Sequence, residues 1–211
     1  MFEYLSSPMR WCEEKFVYSE YVAEFWNSIS SLFFCVVALY GLKQQEHKVG
    51  ISNIPWYILF FIGLASFWFH FTLSFAGQFA DEFGIIILVT YCIKEMYNLN
   101  SILYFFITFV LSLISWFFPY ASPFIFMISG VSLVLSTYNS IKDENSRMLW
   151  NYFIKTGLFS VFLWIFDFVC ITNTHCYWHI FIGLTSYLMI LYIIKDKYVL
   201  RCSNSYVPKL V

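Results

Sequence analysis

Charged side chains are scarce in this sequence of 211 residues. Only 12% of the residues are Asp, Glu, Lys or Arg, whereas 60% are hydrophobic. A soluble globular domain carries roughly 25% charged residues, so the composition excludes that class and predicts an integral membrane protein. The formal net charge is only −1, and without a basic excess nothing indicates a nucleic-acid partner. Residues 1–15 lack an apolar core preceded by basic residues, so we expect no cleavable signal peptide.

Hydrophobic runs of membrane-spanning length recur along the chain. Because about 20 apolar residues cross a bilayer, we predict an all-α fold of seven transmembrane helices, in one domain that covers residues 1–211. The third span is short and starts with two acids, so an arrangement with six helices and a re-entrant third segment stays open. The predicted spans are Glu24–Leu42, Ile54–Leu73, Asp81–Ile93, Ser101–Phe118, Pro123–Ser140, Leu149–Ile171 and His175–Ile194.

Basic residues are distributed unevenly between the two sides of this arrangement. Of the 12 Lys and Arg residues, only Arg10 and Lys15 fall on the side of the N-terminus. Cytoplasmic loops carry an excess of Lys and Arg, so we expect a lumenal or exterior N-terminus and a cytosolic C-terminus. The residues expected on the cytosolic side are Lys43, Lys48, Lys94, Lys142, Arg147, Lys155, Lys195, Lys197, Arg201 and Lys209.

Three of the four histidines lie in apolar runs. His175 and His179 open the last span, four residues apart, so both imidazoles lie on one helix face and can reach the same metal ion. His70 lies near the end of the second span, and Asp81 starts the third. In a seven-span arrangement all four residues are at one depth on the N-terminal side. A lone histidine in an apolar helix is usually a packing residue, but several ionisable groups at one level of a bilayer favour a functional site.

This set of residue types predicts a catalytic zinc site and a hydrolase. Three neutral imidazoles leave the fourth tetrahedral position of zinc open, and zinc lowers the pKa of bound water to about 7. Asp81 is the candidate to accept that water's proton and pass it to the leaving group. Ser66, one turn before His70, is the candidate donor to a developing oxyanion or to the metal-bound water. The alternative for Ser66 is a hydroxyl bonded back to its own helix.

Five blocks of sequence resemble a known family, the alkaline ceramidases, which belong to a membrane hydrolase superfamily that also holds the adiponectin-type receptors. The histidine and serine–aspartate parts mark the superfamily, whereas the N-terminal block points to ceramidases. Residues 98–159 match only as hydrophobic spans. The blocks are Trp11-Cys12-Glu13-Glu14, Ala23-Glu24-Phe25-Trp26-Asn27, Ser66-Phe67-Trp68-Phe69-His70, Gln78 to Glu82, and His175-Cys176-Tyr177-Trp178-His179-Ile180 with Gly183 to Leu188.

The resemblance implies a seven-helix bundle with an intramembrane zinc ion held by His70, His175 and His179, and with Ser66 and Asp81 as catalytic helpers. The implied reaction is hydrolysis of the N-acyl bond of ceramide, or of a related sphingolipid, to a sphingoid base and a free fatty acid. Both long chains of the substrate would stay among the membrane lipids. The resemblance also implies a multi-pass protein of the endoplasmic reticulum or Golgi that acts in sphingolipid metabolism.

The resemblance further implies a calcium site in the N-terminal block, from which this sequence departs. Alkaline ceramidases hold calcium through an acid just before the tryptophan, the tryptophan carbonyl, two glutamates and an asparagine. Trp11, Glu13 and Glu24 match that pattern, but Arg10 and Lys15 stand where the acid and the asparagine are expected. Calcium takes about 6–8 oxygen ligands. We therefore predict a degenerate calcium site in which Arg10 or Lys15 pairs with Glu13 and Glu24.

The resemblance also implies a disulfide bond. Cys12 and Cys170 match a disulfide pair of the family, with two free thiols as the alternative; the oxidising lumen favours the bond. Cys176 lies between two histidines but off their shared face, so we do not predict it as a ligand. Asp167 is either a partner of a zinc histidine or a capped polar contact.

Two other classes of function stay open at this stage. One is a seven-helix receptor of the adiponectin-receptor type, or a non-catalytic scaffold that keeps zinc for structure. The other is a hydrolase of a different lipid amide or ester, which the same zinc site could serve. The ceramidase-like N-terminal block argues against the receptor. No residue pattern indicates an oligomeric state.

Overall fold

Seven α-helices form in the computed structural model, which describes residues 4–45, 52–141 and 143–205. No strand occurs within those ranges, so the predicted all-α class is confirmed. A 3₁₀ helix, Pro119–Ala121, lies between the fourth and fifth helices. The helices are α1 (Phe25–Gln45), α2 (Ile54–Thr72), α3 (Phe75–Tyr97), α4 (Ser101–Phe117), α5 (Ser122–Asn139), α6 (Glu144–Phe168) and α7 (His175–Ser205).

Most of these helices have the length and composition that a membrane crossing needs. Within the described ranges, six segments qualify: α1, α2, α3, α5 together with the 3₁₀ helix, α6, and residues His175–Lys195 of α7. The apolar helix α4 has 17 residues, or about 26 Å at a rise of 1.5 Å per residue, which is short of the ~30 Å hydrocarbon core. The chain is therefore a multi-pass membrane protein by these criteria, and a seventh crossing stays a prediction.

Of the basic residues counted for orientation, Lys48, Lys142 and Lys209 lie outside the described residues, as do the side chains of Lys197 and Arg201.

Two predicted helix starts were too late, because polar caps extend the helices beyond their apolar runs. Ser74 caps α3 by accepting a hydrogen bond from the Gly77 N–H at 3.1 Å, so α3 begins at Phe75 and not at Asp81. Its 23 uninterrupted residues do not fit the re-entrant alternative. Asp143 caps α6 by accepting from the Ser146 N–H at 2.7 Å, so that helix begins at Glu144 and not at Leu149.

The interior is built around α1, α2 and α7. Helix α1 packs on α2 and α7, α2 packs on α3, and α6 packs on α7, while α4 and α5 contact α3. Small residues allow α1 and α2 to approach closely: a Cβ added at Gly41 would lie 2.5 Å from the buried Trp56 ring, and one at Gly63 would lie 2.9 Å from the Cys35 backbone nitrogen. Either methyl group would force the helices apart. These contacts hold α1 tightly against α2, the helix that carries His70 in its last turn.

The N-terminal segment docks on the last turn of α2. A helix leaves its final carbonyl groups without intrahelical partners, and here backbone N–H groups from the segment supply them. Glu24 donates to the His70 carbonyl at 3.0 Å and Ala23 to the Phe71 carbonyl at 2.9 Å. Leu5 and Ser7 donate in the same way to the carbonyls of the next two residues, at 3.0 and 2.8 Å. The segment is thereby held against the end of the bundle where the histidines lie.

Candidate metal centre

Three buried histidines come together at one end of the helix bundle. His70 lies in the last turn of α2, His175 opens α7, and His179 follows one turn later. Their ring centroids are 4.6–5.0 Å apart, and one ligand nitrogen from each lies within 4.8 Å of the other two. No more than 1% of any of the three side chains is exposed. The structure therefore brings together the three histidines that the sequence predicted as ligands, and their role as metal ligands stays a prediction.

Two of the imidazoles are oriented by polar side chains of the α1 region. The Nδ1 atom of His70 lies 2.7 Å from Glu24 Oε2, and the Nδ1 atom of His179 lies 2.8 Å from Ser30 Oγ. A hydrogen bond at one ring nitrogen fixes the tautomer and directs the other nitrogen as a ligand. Both rings thus keep Nε2 available. Ser30 was missed by the sequence analysis; a serine in an apolar helix was its only signal, because its partner lies 149 residues away.

His175 is held differently. Its ring lies between the indoles of Trp11 and Trp178, with centroids 3.9 and 4.8 Å away and interplanar angles of 26° and 28°. Asp167 Oδ2 is 3.9 Å from its Nδ1 atom, which is too far for a hydrogen bond. Asp167 instead accepts the backbone N–H groups of Thr174 and His175 at 2.9 and 3.1 Å. Asp167 therefore makes a polar contact that caps the start of α7, and it is not hydrogen-bonded to the His175 ring.

The cluster fits a metal ion on its own chemistry. His179 Nε2 and His175 Nδ1 are buried, and neither finds a hydrogen-bond partner within the described part of the chain. A buried polar atom without a partner costs about 1–3 kcal/mol, and a cation bound by the free lone pair offsets that cost. Imidazole nitrogens suit zinc, copper, iron or nickel, and three protein ligands leave a position open for a reactant.

Ser66 of α2, one turn before the ligand candidate His70, interacts with Asp81 of α3. Ser66 is 1% exposed and lies one helical turn before His70. Its hydroxyl and the Asp81 Oδ1 atom are both buried without a hydrogen-bond partner of ordinary geometry among the described residues, although the two side chains interact with each other. Ser66 is therefore not bonded back to its own helix. The catalytic roles predicted for the two side chains stay predictions.

Lys15 is the centre of the predicted N-terminal ion cluster. Its ammonium group donates to the backbone carbonyls of Trp11 and Glu13 and lies 2.7 Å from Glu24 Oε1. The other Glu24 oxygen is the one that binds His70. Arg10 takes no part in this cluster: it donates to the carbonyls of Leu5 and Met9.

Glu13 has a role that the sequence did not indicate. Its two carboxylate oxygens accept the first N–H groups of α1, from Trp26 at 2.7 Å and from Asn27 at 2.8 Å. Burial raises the pKa of the Glu13 carboxyl. The two backbone N–H groups lower this pKa, but their effect is smaller than that of burial. The carboxylate caps α1 and so fixes the helix that carries Ser30. Among the described residues its side chain is not paired with a cation, contrary to the predicted pairing of both glutamates.

A disulfide bond joins Cys12 to Cys170, with Cα atoms 5.0 Å apart. It ties the N-terminal segment to the residues that follow α6, next to the start of α7. Cys35, Cys92 and Cys176 are free thiols, and Cys176 is not among the residues of the histidine cluster.

A second polar group in the membrane-spanning region is Glu82, for which the sequence analysis assigned no role. The buried carboxylate accepts hydrogen bonds from Gln78 at 2.7 Å, from Ser115 of α4 at 2.7 Å and from Ser122 of α5 at 2.6 Å. An acid in an apolar run is a default functional hypothesis. Here three donors satisfy the carboxylate, and it fastens α4 and α5 to α3.

Together, the apolar helices of spanning length and the buried three-histidine cluster define a class: a multi-pass, all-α membrane protein with a site able to hold a metal ion. Comparison with known proteins gives the family. The family model named Ceramidase matches residues 3–207. The chain therefore belongs to the ceramidase family, and the resemblance noted from the sequence is confirmed.

Individual relatives carry the same name. The chain is 28% identical over 218 residues to alkaline ceramidase 1 of Mus musculus, an alignment that covers 88% of this chain and 78% of that protein. It is 28% identical over 214 residues to the alkaline ceramidase of Drosophila melanogaster, covering 88% and 75%. A shorter alignment of 93 residues with alkaline ceramidase 1 of Homo sapiens is 42% identical and covers 42% of this chain and 35% of that protein.

Proposed function

We propose that this protein is a zinc-dependent hydrolase that cleaves the N-acyl amide bond of ceramide within the membrane, releasing a sphingoid base and a free fatty acid. The observation that carries the proposal is the buried cluster of His70, His175 and His179, with an unpartnered ring nitrogen on His179. Membership of the ceramidase family supports the substrate. It also argues against a receptor of the adiponectin type. If the substrate is another lipid amide or ester, the experiment below will detect its hydrolysis.

The three histidines would hold the zinc ion through ring nitrogens, of which His175 Nδ1 and His179 Nε2 have no hydrogen-bond partner among the described residues. Glu24 and Ser30 hold the rings of His70 and His179 from behind. When bound, zinc supplies a Lewis acid and makes water acidic enough to ionise near neutral pH. The apolar helices around the cluster keep both long chains of the substrate in lipid and exclude bulk water from the reacting amide.

Asp81 and Ser66 perform the proton transfer and the charge stabilisation. Asp81 accepts a proton from the attacking water and gives it to the amide nitrogen, which leaves as the amine of the sphingoid base. The Ser66 hydroxyl donates to the carbonyl oxygen as negative charge develops on it. Water adds its oxygen to the acyl carbon, the C–N bond breaks, and the fatty acid carries the added oxygen.

The test is release of fatty acid from ceramide by the purified, full-length, zinc-loaded protein in detergent or lipid. We expect turnover by the wild type and none above background by His179→Ala. Cys176→Ala is the matched control, because it alters the same turn of α7 without removing a member of the cluster, and it should keep its activity. Absence of turnover on a panel of ceramides, with turnover of another lipid amide or ester, would move the substrate assignment to that lipid.

We further propose that the Lys15 ammonium replaces calcium in the N-terminal segment. It contacts two backbone carbonyl oxygens and one carboxylate oxygen, the kind of ligands that calcium takes, and so removes the need for the ion. Activity should survive treatment with a calcium chelator when zinc alone is supplied afterwards. Activity that returns only when calcium accompanies zinc would contradict this replacement.

The membrane arrangement that we propose has seven crossings in one domain, with α4 as the shortest, a lumenal N-terminus and a cytosolic C-terminus, in the endoplasmic reticulum or Golgi. The disulfide of Cys12 supports a lumenal N-terminal segment, because the lumen is oxidising. An epitope added before Met1 should be protected from protease in sealed vesicles, and a C-terminal epitope should be cleaved. The reverse pattern would overturn the proposed orientation.

A further inference from the structure

The three histidines of the cluster are not constrained in the same way. His70 and His179 each have a polar side chain at Nδ1, at 2.7 and 2.8 Å. The ring of His175 receives no such bond within the described ranges: its buried Nδ1 atom, which is itself open to a metal ion, has no hydrogen-bond partner, and Asp167 Oδ2 lies 3.9 Å from it. An imidazole whose ring plane is not fixed loses rotamer freedom when it binds a metal, and that loss weakens binding. Something other than a hydrogen bond must therefore hold the ring of His175.

Two indoles enclose the ring of His175. Trp178 lies three residues further along α7, so it shares every movement of that helix with His175. Trp11 comes from the N-terminal segment, and its ring lies closer, with centroids 3.9 Å apart and planes at 26°. A stack that joins two separate segments restricts rotation of the imidazole in a way that a neighbour on the same helix cannot.

Trp11 is itself firmly anchored. The adjacent Cys12 is bonded to Cys170, and the Cys12 N–H donates to Asp167 Oδ2 at 3.2 Å. The Trp11 carbonyl accepts a hydrogen bond from the Lys15 ammonium. Asp167 also caps α7 at His175, so one carboxylate sets the position of both the backbone just after Trp11 and the helix that carries the imidazole.

We propose that Trp11 is a positioning residue for His175, and that its side chain, anchored through the disulfide of Cys12, increases the affinity of the histidine cluster for its metal ion. This inference rests on the proposed function in one respect, namely that a metal ion occupies the cluster. It does not depend on which lipid is hydrolysed.

The experiment measures the zinc dissociation constant of the purified full-length protein by competition with a chromogenic chelator. An aromatic stack contributes enough to change binding by about threefold to tenfold, so Trp11→Ala should raise the dissociation constant by about that factor. Trp11→Phe keeps an aromatic face and should remain within about twofold of the wild type. Trp26→Ala is the matched control, because Trp26 is half-exposed in the same region and contacts none of the three histidines.

A second readout separates positioning from a general loss of stability. The visible absorption of the Co²⁺-loaded protein reports ligand geometry, and we expect it to change in Trp11→Ala but not in Trp11→Phe or Trp26→Ala. If Trp11→Ala does not fold, Trp11→Leu takes its place, since leucine keeps apolar bulk without an aromatic face. Breaking the disulfide with Cys12→Ser should raise the zinc dissociation constant in the same direction.

Wild-type zinc affinity and an unchanged Co²⁺ spectrum in Trp11→Ala or Trp11→Leu would overturn the inference. So would a loss of zinc affinity in Trp11→Phe as large as that in Trp11→Ala. The result is distinguishable from failure of the proposed function. A wild-type protein that binds zinc but hydrolyses no ceramide contradicts the proposed function alone, whereas loss of ceramide hydrolysis in Trp11→Ala with unchanged zinc binding contradicts only the positioning role.

Discussion

The substitution Lys15→Met tests the ion cluster that connects the N-terminal segment to the histidines. Methionine keeps a long apolar stem but removes the ammonium group, so Glu24 loses its cation at 2.7 Å. The carboxylate keeps its contacts with His70 and with Asn27, at 2.7 and 3.0 Å. The Glu24 side chain is fully buried, at 0% exposure, so water cannot replace the lost partner.

The magnitude follows from this burial. Removing one partner of a buried ion pair costs about 3–5 kcal/mol, because a buried charge is left uncompensated. Since two hydrogen bonds to Glu24 remain, we expect a cost at the lower end, about 3 kcal/mol. For a chain of this length each kcal/mol lowers the melting temperature by about 2–4 °C, which gives a decrease of roughly 6–12 °C.

The assay is thermal unfolding of the purified protein in detergent. Lys43→Met, at an exposed position of α1, is the matched control and should leave the melting temperature unchanged. The double variant Lys15→Met with Glu24→Gln should be more stable than Lys15→Met alone, because it removes the buried charge as well. A melting temperature of Lys15→Met equal to that of the wild type would refute the inferred role of this ion pair.

Three further predictions concern the site itself. Glu24→Gln removes the carboxylate behind His70 and should weaken zinc binding by about 10–100-fold, measured by chelator competition, whereas Glu14→Gln at an exposed position should not; equal affinity in both variants would contradict the role of Glu24. Asp81→Asn should lower kcat for ceramide by about 100- to 10,000-fold with zinc content unchanged, and an unchanged kcat would exclude Asp81 as the proton acceptor. Arg10→Asp combined with Lys15→Asn restores oxygen ligands, so added calcium should raise the melting temperature of that variant but not of the wild type; no calcium response would count against the replacement of calcium by Lys15.

The histidine cluster could be predicted because regular helices convert sequence spacing into geometry. His175 and His179 share a face at a separation of four residues, and alternation of the spans places His70 at the same end of the bundle. Ser30 could not be predicted in this way. Its bond to His179 depends on how α1 packs against α7, and no local pattern encodes that contact.

The start of α3 and the contacts of the N-terminal segment could not be predicted from the sequence, because they depend on helix caps and irregular backbone. Hydropathy placed the start of α3 at Asp81, because a count of apolar residues does not register the hydrogen bond from Gly77 to Ser74 that extends the helix. In the N-terminal segment the sequence identified Arg10 and Lys15 as the cations of interest. It could not select Lys15, because the segment has no helical or strand periodicity that would direct either side chain.

The most direct test of the zinc assignment is fatty-acid release from ceramide as zinc is returned to the stripped protein. We expect no turnover without metal, recovery as zinc fills the histidine cluster, and no recovery in His179→Ala. The loss on stripping should be on the order of 1,000-fold or more, because a catalytic metal contributes several kcal/mol of transition-state stabilisation. Full turnover by the metal-free protein, or recovery of His179→Ala by zinc, would contradict the account.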